Sequence, residues 1–441
     1  MAFLQSFFWF LVLIGIMILI HELGHFWAAR WFDVRVDVFS IGFGPRLFGF
    51  RRGDTDYRFS AILFGGYVKM AGEQMGEDNS NDPHGLLSKP RWQRLIIAFA
   101  GPFMNMLLAV GLLTGLYMFK YQRLADDNKG AVIGYVLPGS AAEKAGLHDG
   151  DRIIRLNGKA DPNWEDVNTK ELSSPELAMD VTVLRDGKSI DTKVTPKQDD
   201  RSGLGTAGWA PKTEIEAVGV SPGMPADKAG LRKGDLLISA NGQPIESRYT
   251  LQAIIRGTGG KPVDIVYKRD NQRHEVTMRP EYATNDGDPH WMIGIGIEEK
   301  LNYITTKLSF PDALATSLQE NAKGATMIFD FLKGLVARRM SPKSLAGPVQ
   351  IAQMSGSAAK QGAATFIDLM AAVSLNLAIF NLLPIPILDG GVILLLLIEI
   401  LMGRELSLNV KETMLKIGFV FLMMVVVFVL YNDITNHLLR G

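Results

Sequence analysis

The chain has 441 residues, with 46 Lys+Arg balancing 46 Asp+Glu, no cysteine and 47% hydrophobic residues. Zero net charge argues against a nucleic-acid binder, and the lack of cysteine removes disulfides, Cys-ligated zinc, Fe–S clusters and thiol catalysis. A charged fraction of 21% with a mean hydropathy of +0.11 suits neither a wholly soluble chain nor an all-apolar bundle, and points to a mixture of the two.

The first element is an apolar run from Phe7 to Ala29, 23 residues interrupted only by His21, Glu22 and His25. At 1.5 Å per residue such a helix covers about 34 Å, enough to cross a bilayer. No Lys or Arg precedes Arg30, so the run lacks the basic start of a signal peptide. In His21-Glu22-Leu23-Gly24-His25 the histidines are four apart. They project from nearly one side of a helix, where both imidazoles can reach one zinc ion. Glu22 lies about 100° round, where it can reach a water on the metal without ligating it. Three ionisable groups in a membrane helix are expensive unless neutralised, paired or coordinated, which favours a metal over a structural His–Glu cluster.

The following loop, Arg30 to Arg94, contains ten Lys/Arg against none on the N-terminal side. The positive-inside rule therefore puts the loop in the cytoplasm and the N terminus outside. Val34 to Phe39 alternates apolar and polar residues, and Arg58 to Val68 is rich in aromatic and apolar ones. Gly42 to Pro45 and Gly65-Gly66 are the expected turns of this β region. A second span covers Leu95 to Phe119, so the 246 residues from Lys120 to Thr365 lie outside.

That outer region contains a repeat. The run Pro138 to Gly158 recurs as Pro222 to Gly242 at a constant offset of 84 residues, with 12 of 21 positions identical. Each copy reads as a short helix closed by Gly, a turn, an apolar strand and an Asn-Gly hairpin turn. The pattern resembles a bacterial PDZ domain, which implies tandem PDZ-like domains at about 125–212 and 213–300. PDZ domains bind an extended peptide by strand addition, with a glycine loop holding its carboxylate. The candidate loops are Gly203-Leu204-Gly205 and Ile293-Gly294-Ile295-Gly296; spacers or steric gates that bind no peptide are the alternative.

From Pro311 to Arg339 one or two amphipathic helices are expected, with Leu314, Leu318, Met327, Phe331 and Leu335 as the apolar set. A third span runs from Phe366 to Leu388, containing Asp368, Ser374, Asn376 and Asn381 and fraying at Pro384 and Pro386. Val392 to Met402 is too short to cross and contains Glu399. A fourth span lies at about Thr413 to Tyr431.

Zinc needs a further ligand, and no other histidine lies in a span, so a carboxylate is expected. Asp389 is the best candidate: the two prolines before it prevent a regular helix, and Gly390-Gly391 permits close backbone approach. Asp368 and Glu399 are rivals.

The early H-E-L-G-H, the late N-x-x-P-x-P-x-L-D-G and the PDZ-like units between them resemble the site-2 protease family of intramembrane zinc metalloproteases, peptidase family M50. The two PDZ-like units and the four-span layout are similar to its regulator-of-sigma-E protease branch. The resemblance includes Gly42-Phe43-Gly44-Pro45, Gly65-Gly66-Tyr67-Val68-Lys69-Met70, Gly101-Pro102-Phe103-Met104-Asn105 and Leu345-Ala346-Gly347-Pro348-Val349. It implies His21, His25 and Asp389 as ligands of one zinc, with Glu22 as general base and acid. It also implies that the β region, with Gly42, Gly44, Gly65, Gly66 and Tyr67, holds substrate as an added strand; an interfacial anchor is the alternative. Asn376 and Asn381 would position substrate, or else join helices by hydrogen bonds.

The expected architecture is an α-helical polytopic membrane protein with four transmembrane helices, a membrane-associated β region and two inserted α+β PDZ-like domains. Its segments are 1–120, 125–212, 213–300, a helical connector at 301–345, and 346–441. The expected partners are the inner-membrane bilayer, single-span substrates of the anti-sigma-factor type, and peptide ligands of the PDZ-like domains. A metal or proton transporter and a membrane-tethered PDZ scaffold are the rival classes. The first does not require H-E-x-x-H with a distant L-D-G, and the second leaves the buried ionisable cluster unexplained.

Overall fold

The computed structural model describes residues 2–73, 82–124, 130–199, 203–285, 288–300, 303–342 and 347–437. Leu345 and Ala346 of the Leu-Ala-Gly-Pro stretch lie outside the described residues, as do residues 125–129 at the start of the first expected PDZ-like domain. The chain divides into a helical unit (Met1–Tyr121, Thr306–Leu332 and Leu345–Gly441) and a repeat unit (Gln122–Thr305 and Lys333–Ser344).

The helical unit contains α1 (Ala2–Trp31), the strands β1 (Val36–Arg52) and β2 (Thr55–Met70), and α2 (Arg91–Phe119). These are followed by α3 (Phe310–Val336), α4 (Pro348–Gln361), α5 (Ala363–Asn381), α6 (Asp389–Met402) and α7 (Leu408–His437). Among the described residues four helices are long and apolar enough to cross a membrane: Leu4–Trp31, Arg91–Phe119, Ala363–Asn381 and Leu408–Thr435. The third is shorter than the apolar run suggests. Its helix stops at Asn381, and residues 382–388 form an irregular turn around Pro384 and Pro386, which cannot donate helical hydrogen bonds. Gly390 and Gly391 then allow α6 to start against that turn. A Cβ on either would collide with backbone, that of Leu382 and Leu383 for Gly390 and of Ile385 and Pro386 for Gly391. Asp433, 2% exposed near the end of α7, accepts the N–H groups of Val349 (2.7 Å) and Gln350 (3.3 Å) at the start of α4.

β1 and β2 make one long, irregular hairpin whose turn lies between Arg52 and Thr55, with Gly53 at φ +60°. Gly42 (φ +96°) and Gly44 (φ +85°) close no turn. They lie inside β1 where the register shifts, and a Cβ on Gly42 would sit 2.8 Å from the Ile62 carbonyl oxygen. Gly65-Gly66 likewise continues β2 rather than ending it, because Ile41 pairs with Gly66 as the ladder goes on. Residues 38–41 are flanked on one side by 66–69 and on the other by 56–59, which in turn pair with 48–51. Stretch 66–69 is therefore an outer edge, and among the described residues no further strand covers it. Val34, Val36, Phe39, Val68 and Met70 bury that end of the hairpin against Leu19, Leu23 and Phe26 of α1. At the other end Phe43, Leu47, Phe48, Phe50 and Ile62 are exposed.

α3 is a single helix, and its packed side is only in part the expected Leu/Met/Phe set: Leu314, Phe331 and Leu335 are half-buried, but the most buried positions are small. Ala313 and Ser317 are fully buried, Ser317 Oγ donates to the Val110 carbonyl at 2.8 Å, and Gly324 faces Leu375. Leu318 and Met327 are exposed instead. Small residues let helix backbones approach closely when lipid gives large apolar ones no reason to turn inward.

In the repeat unit both copies form a sheet of the same order. The first runs Trp209–Pro211, Ala131–Val136, Arg152–Leu156, Met179–Arg185, Lys188–Val194. The second runs Ile295–Lys300, Glu214–Val220, Leu236–Ala240, Val263–Arg269, Gln272–Met278. The repeated residues repeat their contacts. Asp151 holds Arg185, whose guanidinium also donates to the Gly146 carbonyl; Asp235 holds Arg269, which donates to Gly230. Asn157 and Asn241 each accept a backbone N–H, from Asp180 and Asp264. Helices Trp164–Leu172 and Arg248–Gly257, capped by Asn163 and Ser247, again stand 84 residues apart.

Candidate metal centre

The cluster is built where α1, α2 and the start of α6 meet. One helical turn separates His21 (8% exposed) from His25 (9% exposed), and Asp389 is the first residue of α6. Their potential ligand atoms all lie within 4.8 Å of one another. His21 Nε2 is 3.2 Å from His25 Nε2 and 3.1 Å from Asp389 Oδ2, and His25 Nε2 is 3.5 Å from Asp389 Oδ1.

The donor set fits zinc. Bonds of about 2.0–2.1 Å at tetrahedral angles separate ligand atoms by roughly 3.3 Å, and the three observed distances bracket that value. His25 Nδ1 lies 2.8 Å from the Ile97 carbonyl, which needs a proton on that nitrogen and leaves the Nε2 lone pair facing the cluster. Asp389 Oδ2 is buried without a hydrogen-bond partner, its approach to His21 lacking hydrogen-bond geometry. Converging lone pairs and an orphaned carboxylate oxygen call for a cation. Three protein ligands leave a fourth position for water or substrate.

Close helix packing makes this convergence possible. Gly24 faces the Ala100 carbonyl on α2, where a Cβ would collide with it. Gly101 faces the histidines: its Cβ would fall 2.8 Å from His21 Nε2 and closer still to His25 Nε2. Asn105, fully buried one turn further along α2, places its amide 3.3 Å from His21 Nδ1. Sequence reasoning gave neither residue a role, although Asn105 stands out as a polar side chain in an apolar span.

Other candidates are distributed more widely. Glu22 is half-buried and within electrostatic reach of His25, His21 and Asp389. Gly66 stands directly against it, a Cβ there lying 3.1 Å from Glu22 Cγ. Gly65 is covered by the Phe43 ring, which stacks parallel to Tyr67 at 6.1 Å, and the Tyr67 hydroxyl meets Arg58. Asn376 lies half-buried within α5 and Asn381 at its last residue; none of the described hydrogen bonds joins either to the cluster. Asp368 is exposed on α5. Glu399 is 1% exposed but engaged by Lys411 at 2.6 Å, with Arg94 and Arg91 nearby, which leaves it an ion-pair role.

The two candidate PDZ loops differ. The Gly294 carbonyl accepts the Ser221 N–H at 2.8 Å, and in the first repeat the same bond runs from Leu137 N–H to the Gly208 carbonyl at 2.7 Å. Gly208, rather than Gly203 or Gly205, thus matches Gly294 in position. Gly203 (φ +71°) packs on Ser341 and Gly205 on the Glu171 backbone, both ahead of the loop, while Gly296 pairs with Gly219 inside the closing strand.

The profile of peptidase family M50 matches residues 9–425. This chain belongs to peptidase family M50. As a member it is a zinc metalloprotease. M50 relatives match nearly end to end. "Protease RseP" of Yersinia pestis is 31% identical over 464 residues, covering 99% of this chain and 100% of the relative. "Regulator of sigma E protease" of Salmonella typhi is 30% identical, covering 97% and 98%. A solved PDZ domain of the SdrC-like protein from Listeria monocytogenes is similar to 20% of the chain, with 90% of that domain covered, 22% identity and a TM-score of 0.18.

Proposed function

We propose that this protein cuts membrane-spanning segments of single-span proteins, with His21, His25 and Asp389 holding one zinc ion and Glu22 moving the proton. The observation that carries the reading is the convergence of three ligand atoms at zinc-like spacing beside a helix long and apolar enough to cross a membrane. Zinc bound there supplies a Lewis acid for the scissile carbonyl and brings the pKa of its water to about 7. Glu22 takes the proton of the attacking water and returns it to the leaving amine. Ile97 and Asn105 orient the two imidazoles from behind.

A substrate helix hides its peptide bonds, so it must open before it is cut. The outer stretch Gly66-Tyr67-Val68-Lys69 has one partner strand and runs past Glu22. Adding the unwound substrate to that edge replaces its lost helical hydrogen bonds and presents it to the centre. Gly42, Gly44 and Gly65 hold the irregular hairpin in shape, and Asn376 and Asn381 contact substrate on the α5 side. The protein lies in a bacterial inner membrane with four crossings, the β region cytoplasmic and both termini and the tandem PDZ-like units periplasmic. His21, 14 residues after Phe7, then lies about 21 Å from the outer face, nearer the cytoplasm. The names of the sigma-E relatives favour anti-sigma factors already trimmed outside as substrates, with remnant signal peptides a second class.

Zinc content tests the ligand set. The purified protein should carry about one zinc per chain, and His21→Ala, His25→Ala and Asp389→Ala should each lose it together with cleavage. Full zinc in Asp389→Ala would move the third ligand elsewhere.

A further inference from the structure

The helical unit gathers charge at a second place, away from the metal centre. Trp31 lies ten residues beyond His21 on α1, Arg91 ten before Gly101 on α2, and Ile400 eleven beyond Asp389 on α6. At 1.5 Å per residue all three stand about 15 Å from the cluster. Contacts between the helix ends put them on one side of it. The Phe32 ring meets Trp92 edge-on at 5.4 Å, and Arg94 Nη2 reaches Glu405, just past α6, at 3.3 Å. Trp27, Trp31 and Trp92 are exposed at this level, the position tryptophan favours at a membrane surface.

Between the start of α2 and the end of α6 lies a cleft of about 500 Å³, with Lys89, Arg91, Arg94 and Glu405 on its polar side and Trp92 and Ile400 on its apolar side. Behind it Glu399 is engaged by Lys411 Nζ at 2.6 Å and by the Leu406 N–H at 3.0 Å, while Glu405 pairs with Arg94. Lys89, Arg91, Arg94 and Lys411 thus meet only two carboxylates, a surplus of two positive charges. Arg91 Nε stands 3.8 Å from Glu399, too far for a hydrogen bond. It and the Nε of Arg94, a residue only 6% exposed, are buried without an acceptor. α2 starts with no side-chain cap, and among the described residues no acceptor takes the N–H of Arg91 or Trp92. Unspent arginine donors, an open helix N-terminus and a positive surplus together call for an anion.

We propose that this cleft binds the headgroup of an anionic phospholipid, with the phosphate against Lys89, Arg91 and the start of α2 and the acyl chains along Trp92, Ile400 and Leu401. The inference rests on reading α2 as a membrane span and is independent of the metal chemistry. Free phosphate would meet the same cations, but the apolar side of the cleft serves only a lipid: Trp92, Ile400 and Leu401 are 53%, 43% and 87% exposed. Basic pockets between membrane helices are suited to anionic headgroups. A lipid held here ties together the far ends of the two helices that carry Gly101 and Asp389 to the metal centre.

The test uses the full chain in a nonionic detergent, with bound lipid counted by native mass spectrometry. The probes are dioleoyl-phosphatidylglycerol, dioleoyl-phosphatidylcholine and inorganic phosphate. Wild type should retain one phosphatidylglycerol, with phosphatidylcholine at least tenfold weaker, and phosphate should not displace the anionic lipid. A cation beside an anionic headgroup contributes about fivefold. Lys89→Gln should therefore weaken retention by about that factor, and Lys89→Gln with Arg91→Gln at least tenfold, with helical content by circular dichroism unchanged. Arg404→Gln, which removes a charge just past α6 but outside the cleft, should retain the lipid as wild type does. Equal retention of the two lipids, or wild-type retention by the double variant, would overturn the proposal. Displacement by phosphate would assign the cleft to a free anion and overturn it as well. Failure of the span reading shows separately, as protein released from cell membranes by an alkaline wash.

Discussion

Gly66 on the outer stretch of the hairpin packs against Glu22 of α1, and a Cβ at Gly66 would lie 3.1 Å from Glu22 Cγ, 2.8 Å from Ile18 Cγ2 and 2.9 Å from the Ser40 carbonyl oxygen. A strand edge and the carboxylate proposed to move the proton are thus held side by side without a side chain between them. Gly66→Val should slow cleavage of a membrane substrate at least tenfold while leaving zinc content unchanged, read by metal analysis and a gel assay on one preparation. Unaltered cleavage would show that substrate does not use this edge.

Gly101 has the corresponding role on the metal side. Its missing Cβ is the space in which the two histidine Nε2 atoms converge. Gly101→Ala should weaken zinc binding at least tenfold in competition with a chelator, with helical content by circular dichroism unchanged.

Asn105 stands behind His21 as the Ile97 carbonyl stands behind His25. In the structure the amide nitrogen faces Nδ1 and Oδ1 is buried without a partner; turning the amide over, so that Oδ1 accepts the Nδ1 proton, satisfies both and fixes the tautomer that offers Nε2 to the metal. Outer partners of this kind are worth about 10–100-fold in metal affinity. Asn105→Ala should cost that much, measured by chelator competition, and Asn105→Asp should recover part of it.

The first repeat should respond to acid through Asp151, which is 1% exposed and gripped by Arg185 Nε and Nη2 at 2.6 Å each. Burial alone raises its carboxyl, but Arg185 and the His148 N–H outweigh burial and hold it below the ordinary 3.8. A depressed folded value means that the stabilisation is complete above the unfolded pKa of about 3.9 and is lost as pH falls through the folded one. Asp151→Asn should lower the stability of this repeat by about 3 kcal/mol near neutral pH. It should also flatten acid unfolding below pH 4, followed by hydrogen exchange on the full chain.

The geometry of the cluster was legible because it is local. His21 and His25 need only a helix to face one way, and Asp389 stood out through the two prolines and two glycines around it. What escaped depends on neighbours distant in sequence. Gly42 and Gly44 read as turn residues, yet partners from β2 carry the ladder past them and the chain reverses at Gly53. The closest packing of α3 is made by small residues, among them Ala313, Ser317 and Gly324, which no apolar periodicity marks. The loop glycine of the first repeat was missed because Gly203 and Gly205 imitate the pattern that Gly208 fulfils in space.

The central claim is that Glu22 moves the proton in hydrolysis at a zinc centre it does not itself hold. The direct measurement is cleavage of a single-span membrane substrate by purified Glu22→Gln beside wild type, with zinc determined on the same samples. The account predicts about one zinc per chain in both and a loss of cleavage of at least 100-fold in the variant. Cleavage at the wild-type rate, with zinc retained, would contradict it.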